Sequence, residues 1–233
     1  MTPITIRHRV PRSDLAFGVL RVEGVEVGAA PTPLSQALDA CIARRKAEPL
    51  AASEEALRQG CRDVLRNGRY KPTGRGKPAS EYLLRAATAE DFPRINGPVD
   101  ANNLVSLGRL VPISVWDLDL AETRCFELRL GRPGESYVFN AAGQTLELED
   151  LLCGAGLAGE VSRPMVTPIK DGLATKLTPA STRLAGCIYY PVEVGGRAQL
   201  AAATEELFRW LSLCGADVRG AWAVLEPGGE VSL

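Results

Sequence analysis

Histidine is almost missing from this chain, since His8 is the single one among 233 residues. A Ser-His-Asp set therefore has no candidate base other than His8, and we expect that residue to be a free surface histidine. The sequence also lacks a Walker loop and a dinucleotide fingerprint, so no nucleotide cofactor is expected.

Paired cysteines are also lacking, because the six cysteines are far apart and form no Cys-x-x-Cys motif. This spacing favours reduced core residues in a cytosolic protein over a disulfide or metal framework. Asp117 and Asp119 form an Asp-x-Asp pair, but neither histidine nor cysteine accompanies them. We expect a pair of strand-end charges there, with no metal and no cofactor.

Long apolar runs do not occur. None near the N-terminus is long enough for a signal peptide, and none approaches the roughly 20 residues of a membrane span. The net charge is −1, so any contact with nucleic acid has to come from a local patch. We therefore expect a cytoplasmic protein with no membrane partner and no DNA partner.

Helical and strand periodicities are both present, and the 45% hydrophobic fraction is enough for the core of a single domain over residues 1–233. Apolar spacing predicts helices over 33–48, 53–67, 80–89 and 199–213. Alternation and turn residues predict a hairpin over 16–28 and strands over 125–140, 182–191 and 221–225. Strands and helices do not alternate strictly, which favours an α+β fold over a doubly wound sheet.

The most distinctive stretch spans residues 94–119 and has two parts. The first contains Asn96, Asp100, Asn102 and Asn103, with an Asn-Gly turn and a proline that suits the first turn of a helix. The second, 111–117, is a β-branched and aromatic run typical of a buried strand. The pattern predicts a short polar helix that leads into a core strand.

This stretch resembles the core of the editing domain in the β subunit of phenylalanyl-tRNA synthetase. The family signature is Val-Asp-x-x-Asn-(Tyr/Leu)-Val, a short gap, and Pro-(apolar)-His-(Ala)-(aromatic)-Asp. Here it reads Val99-Asp100-Ala101-Asn102-Asn103-Leu104-Val105 and then Pro112-Ile113-Ser114-Val115-Trp116-Asp117. The likeness extends, more weakly, over 58–190, so the chain looks like a stand-alone version of that one domain.

The resemblance implies both a fold and an activity. The fold would be mixed, packed β-sheets with helices against one side, with an extension of hairpin and helix over 1–50 and a C-terminal helix and strand over 198–233. In the synthetase relatives the domain hydrolyses tyrosine wrongly esterified to the tRNA for phenylalanine. That reaction needs a positioned water and hydrogen-bond donors for the oxyanion.

The family's two polar editing residues are replaced in this chain. Its histidine corresponds to Ser114, and the glutamate of a late strand corresponds to Gly186 in the run 184–190. Asp100 and Asn103 match the family, but a structural role in capping main-chain donors is the expected one. The substrate-binding candidates are Asn96, Asn102, Asn103, Ser114, Lys170, Asp171, Thr175, Lys176 and Gly186.

Within this set, a lysine of the 170–176 run is suited to a terminal phosphate or a carbonyl oxygen. Asp171 is suited to the α-ammonium of an aminoacyl group. The alternative interpretation is a turn with solvated charges.

A basic loop over 66–77 contains five cations and no acid. Flexible lysine and arginine side chains release counterions when they meet RNA, and Tyr70 is placed to stack on a base. The alternative is an ordinary solvated loop. The RNA-binding candidates are Arg66, Arg69, Lys71, Arg75 and Lys77.

Three functions remain open at this point. The first is an editing-like domain that hydrolyses mischarged aminoacyl-tRNA in trans, without being a complete ligase. The second is a tRNA-binding module without catalysis. The third is a binder of a free amino acid or an analogue in the former editing pocket.

Overall fold

The computed structural model describes residues 3–89 and 91–233, which form helices and strands in similar measure. The helices in these ranges are α1 (Thr32–Ala47), α2 (Ala52–Asp63), α3 (Ala79–Thr88), α4 (Gly97–Arg109), α5 (Val192–Gly195) and α6 (Arg197–Ser212). None of these helices has both the length and the apolar content needed to cross a bilayer. The predicted α+β class is confirmed.

The strands of the described ranges are short, apart from two of nine residues. They are β1 (Thr5–His8), β2 (Leu15–Glu23), β3 (Ile113–Asp117), β4 (Cys125–Leu130), β5 (Ser136–Val138), β6 (Thr145–Glu147), β7 (Leu152–Ala158), β8 (Val161–Val166), β9 (Arg183–Pro191), β10 (Arg219–Leu225) and β11 (Glu230–Ser232). They assemble into sheets of five, four and two strands.

The five-stranded sheet has the order β11-β1-β4-β7-β8. The sheet is mixed, because β1 and β4 pair in parallel whereas all the other neighbouring strands of the sheet pair antiparallel. The four-stranded sheet has the order β10-β2-β9-β3 and is antiparallel throughout. Strands β5 and β6 form a separate hairpin.

The four-stranded sheet is buried on both faces. Along β2, Phe17 and Val19 pack into a core between the two large sheets, whereas Leu20 and Val22 pack into a core beneath the helices. This division follows from the alternation of side chains along a strand. The helices thus lie against one side of packed, partly mixed sheets, as the sequence predicted.

The hairpin predicted over 16–28 is wrong. Residues 15–23 form one continuous strand that pairs with β9 on one side and β10 on the other. Gly24, with φ of 82°, makes the turn that follows it. Alternation in the sequence indicated a hairpin, but the strand is central and its partners come from the C-terminal half of the chain. The N-terminal residues therefore supply the centre of a sheet.

The predicted helices over 33–48, 80–89 and 199–213 are confirmed within a few residues, and the one predicted over 53–67 ends earlier, at Asp63. The strand run over 125–140 forms β4 and β5. These two do not pair with each other, since β4 lies between β1 and β7.

Helix α6 approaches β2 closely, so added volume at this contact should destabilise the fold. A Cβ atom added at Gly18 would lie 1.9 Å from Oγ1 of Thr204. We expect Gly18→Ala to lower the free energy of unfolding by about 1–3 kcal/mol through overpacking. Urea denaturation measures the change, with Gly28→Ala as the matched control because no atom lies within 4 Å of its added Cβ. Equal destabilisation by both substitutions would contradict this account.

Candidate functional site

The helix and strand predicted in the central stretch are present as α4 and β3, and the polar residues before and within α4 mostly bind the main chain. Asn96 is the N-cap residue, and its Oδ1 accepts a hydrogen bond from the Val99 amide at 3.0 Å. Oδ1 of Asp100 accepts one from the Ile95 amide at 3.1 Å. These contacts satisfy donors that a helix start leaves without partners. Both side chains therefore have a structural use, as was expected for Asp100.

The two neighbouring asparagines of α4 differ in how well they are satisfied. Nδ2 of Asn102 donates to Oδ1 of the buried Asn103 over 3.3 Å. Oδ1 of Asn102 is buried without a partner among the described residues. A buried carbonyl oxygen without a donor raises the free energy of the fold, so Asn102 is less well satisfied than its neighbour.

Ser114, which stands where the family has histidine, is fully buried between the two large sheets. Its Oγ lies 2.7 Å from Oδ1 of Asp171, 3.2 Å from the carbonyl oxygen of Thr167 and 3.2 Å from the Tyr189 hydroxyl. A hydroxyl has one proton. We assign it to the shortest contact, so that Ser114 donates to Asp171 and Tyr189 donates to Ser114.

Asp171 is the most perturbed acid of this group. Burial raises its pKa from an ordinary 3.8 to about 7, although the hydrogen bonds from Ser114 and from the Thr167 amide, together with the charge of Lys176, oppose the shift. Those hydrogen bonds both reach Oδ1, and no donor among the described residues reaches Oδ2. The carboxyl group therefore exchanges its proton near neutral pH and keeps one oxygen available.

The β5–β6 hairpin holds the loop around Asp171. The Tyr137 hydroxyl donates to the carbonyl oxygen of Lys170 at 2.6 Å, and Nζ of Lys176 donates to that of Phe139 at 2.6 Å. Nζ of Lys170 lies 4.2 Å from the centre of the Phe139 ring. Thr175 is buried, and its Oγ1 has no partner among the described residues. These contacts connect the loop over residues 170–176 to the hairpin, while the side chain of Lys176 is exposed.

Gly186 lies on the opposite face of the sheet from Ser114. Ser114 pairs with Cys187 and Val115 pairs with Gly186, so the two predicted positions alternate along the strands. A Cβ atom at Gly186 would lie 3.3 Å from Leu20, in the core beneath the helices. Five clefts formed by the described residues are lined by none of the nine substrate-binding candidates. The structure therefore does not bring Ser114, Gly186 and Lys170 together in one of these cavities.

The predicted basic loop continues into a larger positive surface. Lys71 and Arg75 are exposed, and Lys77 lines a cleft of about 230 Å³ with Arg58, Arg62, Gly74, Glu81, Tyr82 and Arg85. We use the name basic face for the group of six cations Arg58, Arg62, Lys71, Arg75, Lys77 and Arg85. The helical members were missed in the sequence, although the i, i+4 spacing of Arg58 and Arg62 in α2 is a signal for one face.

Ion pairing divides these cations into two groups. Arg58 and Arg62 both pair with Glu81, while Arg66 pairs with Asp63 at 3.0 Å and Arg69 with Glu149 at 3.5 Å. By contrast, no acidic partner within the described ranges pairs with four members of the basic face, which are Lys71, Arg75, Lys77 and Arg85. These four leave their charge available to an anion.

Two tyrosines fix the shape of this loop. The Tyr70 hydroxyl donates to the Gly76 carbonyl oxygen at 2.8 Å, and the Tyr82 hydroxyl donates to that of Gly74 at 3.1 Å. The Tyr70 ring packs against the core between the sheets, so it is not placed to stack on a base as the sequence suggested. Tyr82, with Arg85 5.4 Å from its ring centre, is the aromatic residue on this surface.

His8 is buried, and the expectation of a free surface histidine is wrong. Its Nδ1 accepts a hydrogen bond from the Val10 amide, which leaves Nε2 to donate to the Leu15 carbonyl oxygen at 2.9 Å. Burial lowers its pKa. The imidazole is thus a neutral structural residue that joins the ends of β1 and β2.

Asp117 and Asp119 also have structural partners. Asp117 accepts hydrogen bonds from the Asp119 and Leu120 amides, and Asp119 pairs with Arg183. In the described ranges no group of three or more possible ligands is arranged for a metal ion.

Comparison with known proteins adds no family assignment. No protein-family model matches the chain, and a search of the curated proteins finds no match. The resemblance to the editing domain rests on the sequence signature over 99–117.

The raised pKa of Asp171 should make the free energy of unfolding depend on pH. Between about pH 4 and pH 7 the folded protein keeps a proton that the unfolded chain releases, since the pKa is about 7 in the fold and ordinarily 3.8. The free energy of unfolding of the wild type, relative to Asp171→Asn, therefore falls by up to about 1.4 kcal/mol per pH unit across this window and is constant above it. Urea titrations at several pH values measure the difference.

A second variant tests the origin of this shift. Ser114→Ala removes the hydrogen bond that favours the ionised form, so the window should extend to higher pH. Parallel pH curves for the wild type and Asp171→Asn would rule out a perturbed carboxyl at this position.

Proposed function

We propose that this chain is a tRNA-associated, editing-like module that binds RNA phosphates through its basic face. The observation that supports this most directly is that Lys77 and Arg85 line one cleft, while Lys71 and Arg75 are exposed in the adjoining loop. None of these four cations has an acidic partner among the described residues. In a molecule of net charge −1, such a cluster concentrates positive potential locally. The resemblance of residues 99–117 to the editing domain makes tRNA the RNA class of choice.

The basic loop is held in one conformation before RNA binds, which favours binding in addition to its charge. The hydroxyls of Tyr70 and Tyr82 hold two glycine carbonyls, so the loop does not have to be ordered when RNA arrives. Binding then avoids part of the entropy loss that a flexible basic segment carries. Tyr82 offers an aromatic face beside the cations for a base or a ribose.

The basic face is joined to the loop that contains Asp171. The amide of Ala79, the first residue of α3, donates to the Pro168 carbonyl oxygen at 2.8 Å. Pro168 stands three positions before Asp171 in the chain. Because α3 also carries Arg85, this contact connects the basic face with the loop of Asp171.

Charge neutralisation tests the RNA proposal. We expect the combined variant Lys71→Gln, Arg75→Gln, Lys77→Gln and Arg85→Gln to weaken tRNA binding and to flatten its salt dependence. The slope should fall by about 0.7–0.9 for each RNA phosphate that the variant no longer neutralises. Fluorescence anisotropy at several salt concentrations measures both quantities.

The matched control neutralises four exposed arginines of other surfaces: Arg163, Arg197, Arg209 and Arg219. It reaches the same net charge and should retain the wild-type salt slope. If both variants lose affinity equally, the binding is due to net charge and the basic face has no special role.

A second candidate function is hydrolysis of an aminoacyl ester. The observation that favours it is Asp171, whose carboxyl group titrates near neutrality and is oriented by Ser114. As a general base, ionised Asp171 would take a proton from water while the water oxygen bonds to the ester carbonyl carbon. The bond from that carbon to the ribose oxygen then breaks, and the ribose oxygen is protonated.

Single-turnover deacylation of mischarged tRNA tests this second candidate. Because the base must be ionised, the rate should rise with pH through about 7 and then level off. Asp171→Asn should lower the rate by roughly 10²–10⁴-fold while tRNA affinity is unchanged. A wild-type rate equal to that of buffer, or an unaffected variant, would remove hydrolysis and leave the binding proposal standing.

A further inference from the structure

A cleft on the helix side of the four-stranded sheet lies apart from both sites described above. It has a volume of about 350 Å³, near the lower end of small-molecule pockets. Residues of α2, α4, β9, α5 and α6 line it. They include Glu54, Leu57, Arg109, Tyr190, Val194, Gly195, Gln199 and Ala203.

Tyr190 gives this cleft an unused hydrogen-bond donor. Its neighbour Tyr189 points to the other face of the sheet and contacts Ser114, whereas Tyr190 packs among the helix-side residues. No described residue is hydrogen-bonded to the Tyr190 hydroxyl, although the residue is 2% exposed. Burial raises its pKa to about 12, so the hydroxyl keeps its proton and donates.

Gly195 keeps this hydroxyl open to the cleft. A Cβ atom at that position would lie 2.1 Å from the Tyr190 hydroxyl oxygen, which is too close for any side chain. The backbone of Gly195 lies in the right-handed helical turn of α5, so its conformation does not require glycine. What the position requires is space beside the hydroxyl.

The cleft also presents one cation and one carboxylate from different helices. Arg109 is held by Glu206 at 2.7 Å, and 38% of its side chain is exposed. Glu54 is held by Arg45 at 2.7 Å, and 29% of its side chain is exposed. Each charge is oriented by a partner and still reaches solvent, so the cleft offers both a cation and a carboxylate to a ligand.

We propose that this cleft binds a free α-amino acid with an apolar side chain. Arg109 and the Tyr190 hydroxyl would bind the carboxylate, and Glu54 would bind the ammonium group. Leu57, Val194 and Ala203 would contact the side chain. The site requires neither the RNA-binding face nor the chemistry of Asp171, and it lies away from the former editing position.

Titration calorimetry with L-phenylalanine and L-leucine tests the proposal, supported by thermal melts at millimolar ligand. We expect binding to the wild type and a raised melting temperature. Tyr190→Phe removes a hydroxyl that has no hydrogen-bond partner in the part of the chain that the structure describes, so the fold should be intact and affinity should fall by roughly tenfold. Gly195→Ala should abolish binding. Ser80→Ala deletes another hydroxyl that has no partner among the described residues and lies outside the cleft, so it is the matched control and should leave affinity unchanged.

Two analogues that keep the phenyl side chain separate the contributions of the two charges. Phenethylamine lacks the carboxylate, and 3-phenylpropanoate lacks the ammonium group, so each should bind more weakly than L-phenylalanine by tenfold or more. The absence of heat and of thermal stabilisation with either amino acid would overturn the proposal. Binding that is equally strong in Tyr190→Phe and Gly195→Ala would overturn it as well, since the ligand would then lie elsewhere.

Discussion

The antiparallel pairing of β2 with β9 is the interaction on which the rest of the structure depends. These are the two nine-residue strands, they lie side by side in the four-stranded sheet, and nearly every residue in them is buried. Because successive side chains alternate, β9 supplies Tyr189 to the layer between the sheets and Tyr190 to the layer beneath the helices. The same strand therefore contributes one tyrosine to the surroundings of Ser114 and another to the cleft on the helix side.

Two buried polar networks of the fold are satisfied to different degrees. Arg129 is 5% exposed and donates to Glu127, Glu135 and Ser162, so its guanidinium nitrogens all have partners. Asp171 receives hydrogen bonds from the described residues on one oxygen alone. A fully paired network stabilises a unique packing, whereas a half-paired carboxyl raises the energy of its ionised form. This difference is the physical reason that the proposed hydrolysis uses Asp171, whereas Arg129 has a structural role.

Local periodicity predicts a large part of this fold, because helices such as 33–48 and 199–213 bury one stripe of apolar residues. It fails at 16–28, where a strand buried on both faces has no local signal for its distant partner. Of the site, the sequence identified Ser114 and Asp171, which are 57 positions apart and in contact. It could not assign Gly186 to a face, because that depends on the register of β3 against β9.

The positive surface shows the same limit. The loop cations were recognisable as a cluster in the sequence, but Arg85 joins them because α3 packs beside the loop. The full set of residues on the basic face therefore depends on long-range packing, which the sequence pattern does not give. The same holds for the cleft at Tyr190, whose lining residues come from positions as distant as Glu54 and Ala203.

Because the side chains of β9 alternate between two faces, the surroundings of Ser114 and the cleft at Tyr190 are coupled during sequence evolution. Inserting or deleting one residue before Cys187 would rotate everything after it by half a turn, so that Tyr189 and Tyr190 exchange faces. An insertion would place Ile188 beside Ser114 and Tyr189 beside Gly195, whereas a deletion would place Tyr190 beside Ser114 and Pro191 beside Gly195. Each event would keep one of the two hydroxyls and remove the other. Point substitution can change either region by itself, but a change in the length of this strand replaces the side chains of both.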